Sequence, residues 1–284
     1  VDIRRDQGKM VFFDFRDVSG KVQGVVLSGN KEALESAKEI RSEWVVQVTG
    51  KVNKRPEKNV QKDKLNGDIE LEIISIKVLN EALTPPFDVR SDGKEIGEDV
   101  RLKYRYLDLR RPRMQRNIIM RDKIITFFRE YMHKNNFVEI ETPILMKGTP
   151  EGSREYLVPS RLEKGKFYAL PQSPQQFKQL SMVAGFDRYF QIARCMRDED
   201  LRGDRQPEFT QLDIEMSFIK EGDIQDIIER LIAHVWKIAL NKEVKTPFRR
   251  MTYDEAFSTY GSDKPDLRFA LPIVDITQLF ARTE

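Results

Sequence analysis

RYFQIARCMRDEDLRGDRQPEFTQLDIEMSF, residues 188–218, opens with an aromatic and apolar run over residues 189–196. It closes on a strict alternation, with Leu212, Ile214, Met216 and Phe218 on one face and Phe209, Gln211, Asp213 and Glu215 on the other. A period of two is a strand. Residues 198–207 between them are almost all charged or loop-forming, so the stretch reads as a long antiparallel hairpin with one apolar and one polar face. The polar face sets Asp213 and Glu215 near Arg197 on a strand that packs a core with its other side. Charges in that setting are poor core material and commonly line a site. A half-solvated sheet with ordinary ion pairs accounts for the pattern alone equally well.

The wording RDEDLRGDRQPEFTQLDIEMSF, residues 197–218, resembles motif 2 of the class II aminoacyl-tRNA synthetases, and the aspartyl-tRNA synthetases of bacteria and organelles in particular. The remaining sequence is consistent with that resemblance. The chain has 284 residues, room for one large or two ordinary domains, with 39% hydrophobic and 33% charged residues. No apolar run approaches a membrane span. The 49 basic and 46 acidic residues leave a net charge of +3, so a basic nucleic-acid surface has to be local. The single cysteine, Cys195, excludes an internal disulfide and a cysteine zinc cluster, and fits a reducing compartment. In an apolar strand it reads as a small buried hydrophobe. The chain begins inside a strand, without Met or a targeting peptide, and ends just after an apolar element, which reads as a fragment.

Residues 10–16, MVFFDFR, alternate with Val11, Phe13 and Phe15 inward. Strands at 22–27, 44–52 and 69–79 and a helix over 31–40 capped by Asn30 complete a small barrel of the OB type. The family comparison places a further strand just ahead of Val1. Phe12 shares its face with Asp14 and Arg16. Taken alone, it fits an aromatic packed under a loop, but an exposed ring on such a face can also stack a base. The resemblance favours the second and implies tRNA contacts for Arg5, Phe12 and Gln23. LTPPF, residues 83–87, is stiff and extended, and the basic run RLKYRYLDLRRPRMQR follows it. That run fits a solvated connector or a phosphate-contacting hinge, and the resemblance implies a hinge.

Residues 117–133 form an amphipathic helix with Ile124, Phe127, Phe128, Tyr131 and Met132 as its stripe. FVEIETPIL follows as a strand, and the order resembles motif 1, which implies homodimerisation. GTPEGSREYLVPS, residues 148–160, is a Gly-hinged loop, either plain surface or one that closes over substrate. Ser173, Pro174 and Gln176 supply a capping box for the next helix, on which Gln175 and Lys178 share a face. Asp223 caps a later helix striped with Ile227, Leu231 and Val235. His133 and His234 show no metal-ligand spacing.

The fold class is thus α+β, an OB-type barrel followed by a class II antiparallel-sheet catalytic domain incomplete at its C-terminus. The implied divisions are an anticodon-binding domain over 1–84 with its first strand missing, a hinge over 85–115, a catalytic domain with motifs 1 and 2 over 116–267, and the start of an inserted domain over 268–284. The resemblance implies an aspartate–tRNA ligase. L-Aspartate is activated with ATP to aspartyl-adenylate and transferred to the 3′ end of tRNA(Asp), with tRNA(Asn) an open extension. It implies Arg197 as the catalytic residue and, with Glu151, Gln175, Lys178 and Asp213, as part of the aspartate site. Arg197, Asp198, Glu199, Gln206 and Phe209 fall on ATP-binding positions. Mg²⁺ is implied with its ligands mostly outside these residues. Motif 3 is expected beyond Glu284, so residues 1–284 alone are expected to be inactive. A cytoplasmic location is implied, with mitochondrial matrix or plastid as alternatives. Two other classes stay open: an asparaginyl or lysyl sister synthetase, which the wordings QSPQQFK and RQPEFTQ oppose, and a non-catalytic paralogue that binds tRNA or a partner.

Overall fold

The computed structural model describes residues 1–149 and 151–280. Pro150, in the expected closing loop, and residues 281–284, at the end of the expected inserted segment, lie outside the described residues. The chain divides into two compact units, Val1–Gln115 and Arg116–Glu284. The segment 85–115, read from sequence as a separate hinge, clusters with the first unit.

In the first unit, β1 (Ile3–Asp6), β2 (Val11–Arg16), β3 (Lys21–Val26), β4 (Val45–Lys54) and β5 (Ile69–Asn80) form one sheet in the order β1-β2-β3-β5-β4, with α1 (Lys31–Glu39) between β3 and β4. The pair β3·β5 is parallel and the others are antiparallel. Ile3–Asp6 is the first strand of this sheet and lies in the opening stretch that the sequence reads as already inside a strand. Pairing supplies what the propensity of its charged wording IRRD lacks: Arg5 lies opposite Phe12 and its guanidinium grips Asp14 at 2.7 and 3.0 Å. Val11 and Phe13 are buried as the alternation requires, and Phe12 on the other face is half-buried. Val26, Ala33, Ala37, Ile40 and Ile73 complete that core. Asn30 caps α1 by accepting from Ala33 N–H at 3.0 Å. At Gly50, beside a register shift in β4, a Cβ would collide with the Glu72 carbonyl, so only glycine permits this close approach.

The basic run of 101–116 is neither a solvated connector nor wholly open to phosphates. It forms α2 (Glu98–Lys103) and α3 (Arg105–Asp108), and the fully buried Asp108 accepts from Arg101 at 2.9 Å, Arg105 at 2.6 Å and Arg111 at 2.8 Å. Those bonds, the one from Arg101 above all, hold its carboxyl down to about 2. Arg110 pairs with Glu43 at 2.6 Å.

α4 (Pro112–Lys134) begins earlier than the sequence reading at 117, because proline fits a first helical turn that needs no donor. In the second unit β6 (Val138–Glu139), β9 (Arg188–Met196) and β10 (Glu208–Met216) make a sheet of order β10-β9-β6, and β7 (Leu157–Pro159), inside the stretch read as loop, pairs with β8 (Phe167–Ala169) beyond it. β9 and β10 pair antiparallel from Arg188↔Met216 to Met196↔Glu208, while β6 runs parallel to β9. Leu212, Ile214 and Met216 pack on a core of Met132, Phe137, Phe190 and Ile227. Phe218, placed by the alternation on that face, lies beyond the strand at φ 56° and is fully exposed.

The helices α5 (Gln175–Val183), α6 (Glu221–Leu240), α7 (Tyr253–Tyr260) and α8 (Thr277–Phe280) complete the unit. Two caps differ from expectation. α5 takes no side-chain cap at its start, because the Ser173 hydroxyl donates instead to Glu151 Oε2 at 2.7 Å. Asp223 is the third residue of α6 rather than its cap, and it accepts from Lys220 N–H at 2.8 Å.

The two faces of β2 differ in what they support. Phe13→Ala removes a fully buried ring and is expected to lower stability by about 3–5 kcal/mol in urea unfolding followed by circular dichroism. Phe12→Ala is expected to cost less than about half of that; equal losses would place Phe12 in the core.

Candidate active site and nucleic-acid groove

The β9·β10 register carries the polar residues of both strands to one side: Tyr189 opposite Glu215, Gln191 opposite Asp213, Cys195 opposite Phe209. α5 lies against both strands, and its Lys178 reaches down to them. The ammonium sits 3.1 Å from Asp213 Oδ1 and 2.8 Å from Glu215 Oε1, and it donates to Asp213 Oδ2 at 3.3 Å. The side chains of Lys178 and Asp213 are only 12% and 7% exposed. Among the described residues this buried Oδ1, though 3.1 Å from Nζ, accepts no hydrogen bond. Burial works against the charge on Lys178, but its bonds to Glu215 and Asp213 prevail and raise its pKa. Burial pushes the Asp213 carboxyl up against the pull of Lys178.

Glu151 approaches from the loop. Its Oε1 accepts from Thr149 Oγ1 at 3.0 Å and its Oε2 from the Ser173 hydroxyl. Gln175, half-buried, stands one turn before Lys178 on α5. Below them Gln191 Oε1 accepts from Thr142 Oγ1 at 3.0 Å and from the buried Tyr189 hydroxyl at 2.7 Å, which fixes that carboxamide.

Arg197, expected beside Asp213 and Glu215, instead lies over the ring of Phe209, 5.1 Å from its centroid. Those two carboxylates take Lys178, whose helix the hairpin alone does not reveal. Arg197, Glu199, Gln206 and Phe209 line one cavity of about 390 Å³ with Asp200, Asp204 and Arg205. Asp198 is not in that cavity; its backbone N–H donates to Arg154 O at 3.0 Å and its carboxylate faces the Arg154 guanidinium. Glu199 accepts from the Ser153 hydroxyl, which joins the cavity to the loop.

In the first unit Arg5, Phe12 and Gln23 come together in a groove of about 420 Å³ whose walls include Asp14, Lys64 and Arg55. Sequence reasoning passed over Arg55, whose buried Nε has no partner among the described residues. It also passed over Gln191, which only the β9·β10 register sets opposite Asp213. For the fully buried Gln172, just before Ser-Pro, no local signal existed.

Among the described residues no group of three or more His, Cys, Asp or Glu side chains could hold a metal ion. No helix among them is long and apolar enough to cross a membrane.

A barrel with a ring-bearing basic groove is a nucleic-acid-binding module, and the hairpin site beside it in sequence offers paired carboxylates, a fixed cation and an arginine–aromatic cavity. Residues 1–79 match the OB-fold nucleic acid binding domain, and residues 97–280 match the family described as tRNA synthetases class II (D, K and N). The chain belongs to the class II tRNA synthetases. It is 55% identical over 286 residues to an aspartate–tRNA(Asp/Asn) ligase of Caldanaerobacter subterraneus subsp. tengcongensis, covering 100% of this chain and 48% of that protein. It is 57% identical over 277 residues to one from Dictyoglomus turgidum, covering 97% of this chain and 46% of that protein. The chain therefore spans about half the length of these relatives. Among solved structures, a putative aspartyl-tRNA synthetase of Leishmania major superimposes with a TM-score of 0.72 at 28% identity, over 85% of this chain and 48% of that one. An asparaginyl-tRNA synthetase of Pyrococcus horikoshii, complexed with asparaginyl-adenylate, does so with a TM-score of 0.69 at 24% identity, over 84% and 53%, and shows the fold alone.

Cys195 lies in the floor of the site, and burial pushes its thiol up to about 11. At pH 8 roughly one such thiol in a thousand is ionised. Iodoacetamide is expected to label the native protein at least ~100-fold more slowly than the urea-unfolded chain. Comparable rates, read by mass spectrometry, would show that the β9·β10 floor is open.

Proposed function

We propose that the full-length protein is an aspartate–tRNA ligase, and that residues 1–284 supply its anticodon-binding barrel and the aspartate side of its active site. The observation that carries this reading is the buried Lys178 between Asp213 and Glu215. An ammonium has three protons and these carboxylates engage two, which leaves one for a substrate carboxylate. With Lys178 counted, Asp213 and Glu215 leave a net negative charge, and among the described residues Oδ1 of Asp213 is without a hydrogen-bond donor. That corner suits the ammonium of an amino acid, with Glu151 closing from the loop. Lys178 and Asp213 thus offer an adjoining cation and anion to the neighbouring carboxylate and ammonium of an aspartate.

The nucleotide enters beside it. Its base stacks at Phe209, sharing that ring with Arg197, while Glu199 and Gln206 offer acceptor and amide groups to it. The aspartate α-carboxylate attacks the α-phosphate and releases pyrophosphate. The negative charge that grows there is met by Arg197, a fixed guanidinium that stays charged. The terminal ribose hydroxyl of the tRNA then takes the aspartyl group and releases AMP. The names of the relatives extend the reading to tRNA(Asn) as a second acceptor. Two copies pair through the stretch of α4 and β6, a reading supported by the exposed side chains of Ile118, Ile119, Val138, Ile144 and Leu145. The division of the chain into barrel, hinge, catalytic domain and the start of an insertion belongs to the same proposal.

Lys178→Met in the full-length protein is expected to lower kcat/KM for aspartate in pyrophosphate exchange by ~10²–10³-fold, consistent with ~3–5 kcal/mol for breaking a buried pair. The KM for ATP is expected to move by less than about threefold. Aspartate activation within a few-fold of wild type would place acid recognition elsewhere. Phe12→Ala is expected to weaken charging through tRNA by ~1–3 kcal/mol, the value of one stacked base, with exchange unchanged. Unaltered tRNA kinetics would remove Phe12 from the interface.

A further inference from the structure

Gln172 is a glutamine with 1% exposure, placed between β8 and α5. Its Nε2 donates to Thr149 O at 3.3 Å and to Ser153 O at 3.1 Å, and its Oε1 accepts from Ser153 N–H at 3.2 Å. Both amide protons and one acceptor position thus go to the backbone of a single loop, at two points that bracket Glu151. The partners dictate the orientation of the carboxamide: turned over, its oxygen would face two carbonyl oxygens and its NH₂ an N–H. Each bond is longer than the usual 2.9–3.0 Å, so the set is satisfied without being tight.

We infer that Gln172 is a positioning residue that holds the loop around Glu151 in the substrate-closing form, by clamping its backbone at both ends. This rests on the aspartate-activating reading above. The next residue, Ser173, holds the Glu151 carboxylate, so two consecutive side chains fix first the loop and then its acid. Two residues further on α5 begins, and with it the helix that carries Lys178. The clamp therefore registers Glu151 against Lys178 through a few covalent bonds rather than across the whole fold. The far side of the loop is fastened separately, by Ser153 to Glu199 and by Asp198 N–H to Arg154 O. Within the loop, Gly152 stands at φ 92°, and a Cβ built on it would meet nothing within 4 Å. Gly152 thus holds a left-handed conformation that other residues seldom adopt, and the bonds from Gln172 reach the backbone on either side of it, at Thr149 and Ser153. Loosening the clamp spreads Glu151 over many positions and weakens the hold on the amino acid, while the Arg197–Phe209 cavity stays as it was.

The test uses the full-length protein and the variant Gln172→Met, which keeps length and apolar volume but removes all three bonds. The expected result is a KM for aspartate raised ~10-fold or more in pyrophosphate exchange, the KM for ATP within about twofold, and kcat changed less than the aspartate KM. Backbone hydrogen exchange over residues 149–155 of the free protein is expected to quicken, with the strands β9 and β10 unchanged. An unchanged aspartate KM overturns the inference. So does an equal rise in both KM values with a lower Tm, which would make Gln172 a packing residue. Gln172→Glu, which keeps the acceptor but sets its second oxygen against two carbonyls, is expected to be at least as impaired as Gln172→Met. Wild-type kinetics in that variant also overturn the inference. Wild-type protein without aspartate-dependent exchange would sink the proposed function instead, so the two failures are distinguishable.

Discussion

A lysine ammonium removed from water has to be met by carboxylates, since an unpaired charge in that position is far costlier than the pair. Lys178 meets two, and most of the second unit follows from that requirement. The two acids alternate on β10, so the strand must show α5 its polar face. Its other face, Leu212, Ile214 and Met216, is then turned to the core of Met132, Phe137, Phe190 and Ile227. A slip of one residue in the β9·β10 register would reverse both faces together, setting leucine and isoleucine under the lysine. The nine matched pairs of that ladder are thus held by the core on one side and by the ion trio on the other. The trio is also the reason a site can exist there. Two acids around one base leave unspent charge, and among the described residues no donor reaches Oδ1 of Asp213.

The same constraint shapes the first unit with the signs exchanged. Asp108 is a single buried acid among Arg101, Arg105 and Arg111, and Arg111 is itself fully buried with its guanidinium over the Phe87 ring. A stretch that looks like a basic arm therefore spends much of its charge inward. What remains for a polyanion is local: the groove where Arg5, Phe12 and Gln23 meet, with Lys64 and Arg55 in its walls. Arg5 there is already forked onto Asp14, so its positive charge is partly matched before any ligand arrives. The ring of Phe12 carries no such prior engagement, which suits a surface whose affinity comes as much from stacking as from charge.

Periodicity carried far in this chain. The alternation of Val11, Phe13 and Phe15, the cap at Asn30 and the stripe of α4 all depend on neighbours within a few residues, and the structure places them as read. Readings failed where a side chain had a choice of partners. Ser173 has the spacing of a helix cap, but its hydroxyl went to Glu151, 22 residues back in the chain. Asp223 has the look of a cap, yet it serves as the acid three residues in, because the helix began at Glu221. Phe218 continues the apolar alternation on paper, but the backbone turns to a left-handed conformation there and ends the strand.

By itself the sequence determined the barrel, the amphipathic helix, the two-faced hairpin and the types of residue that the site needs, because these rest on spacings that a linear chain displays. Arg197, Phe209, Asp213 and Lys178 were singled out before any coordinate, their roles implied by the family resemblance. The tertiary structure alone decided who pairs with whom. Lys178 and not Arg197 neutralises Asp213 and Glu215; Asp108 gathers three arginines; Gln172, silent in the sequence, brackets the loop of Glu151. The physical reason is that a polar side chain offers the same protons and lone pairs to any partner, and only the packing of distant segments determines which partner comes within 3 Å.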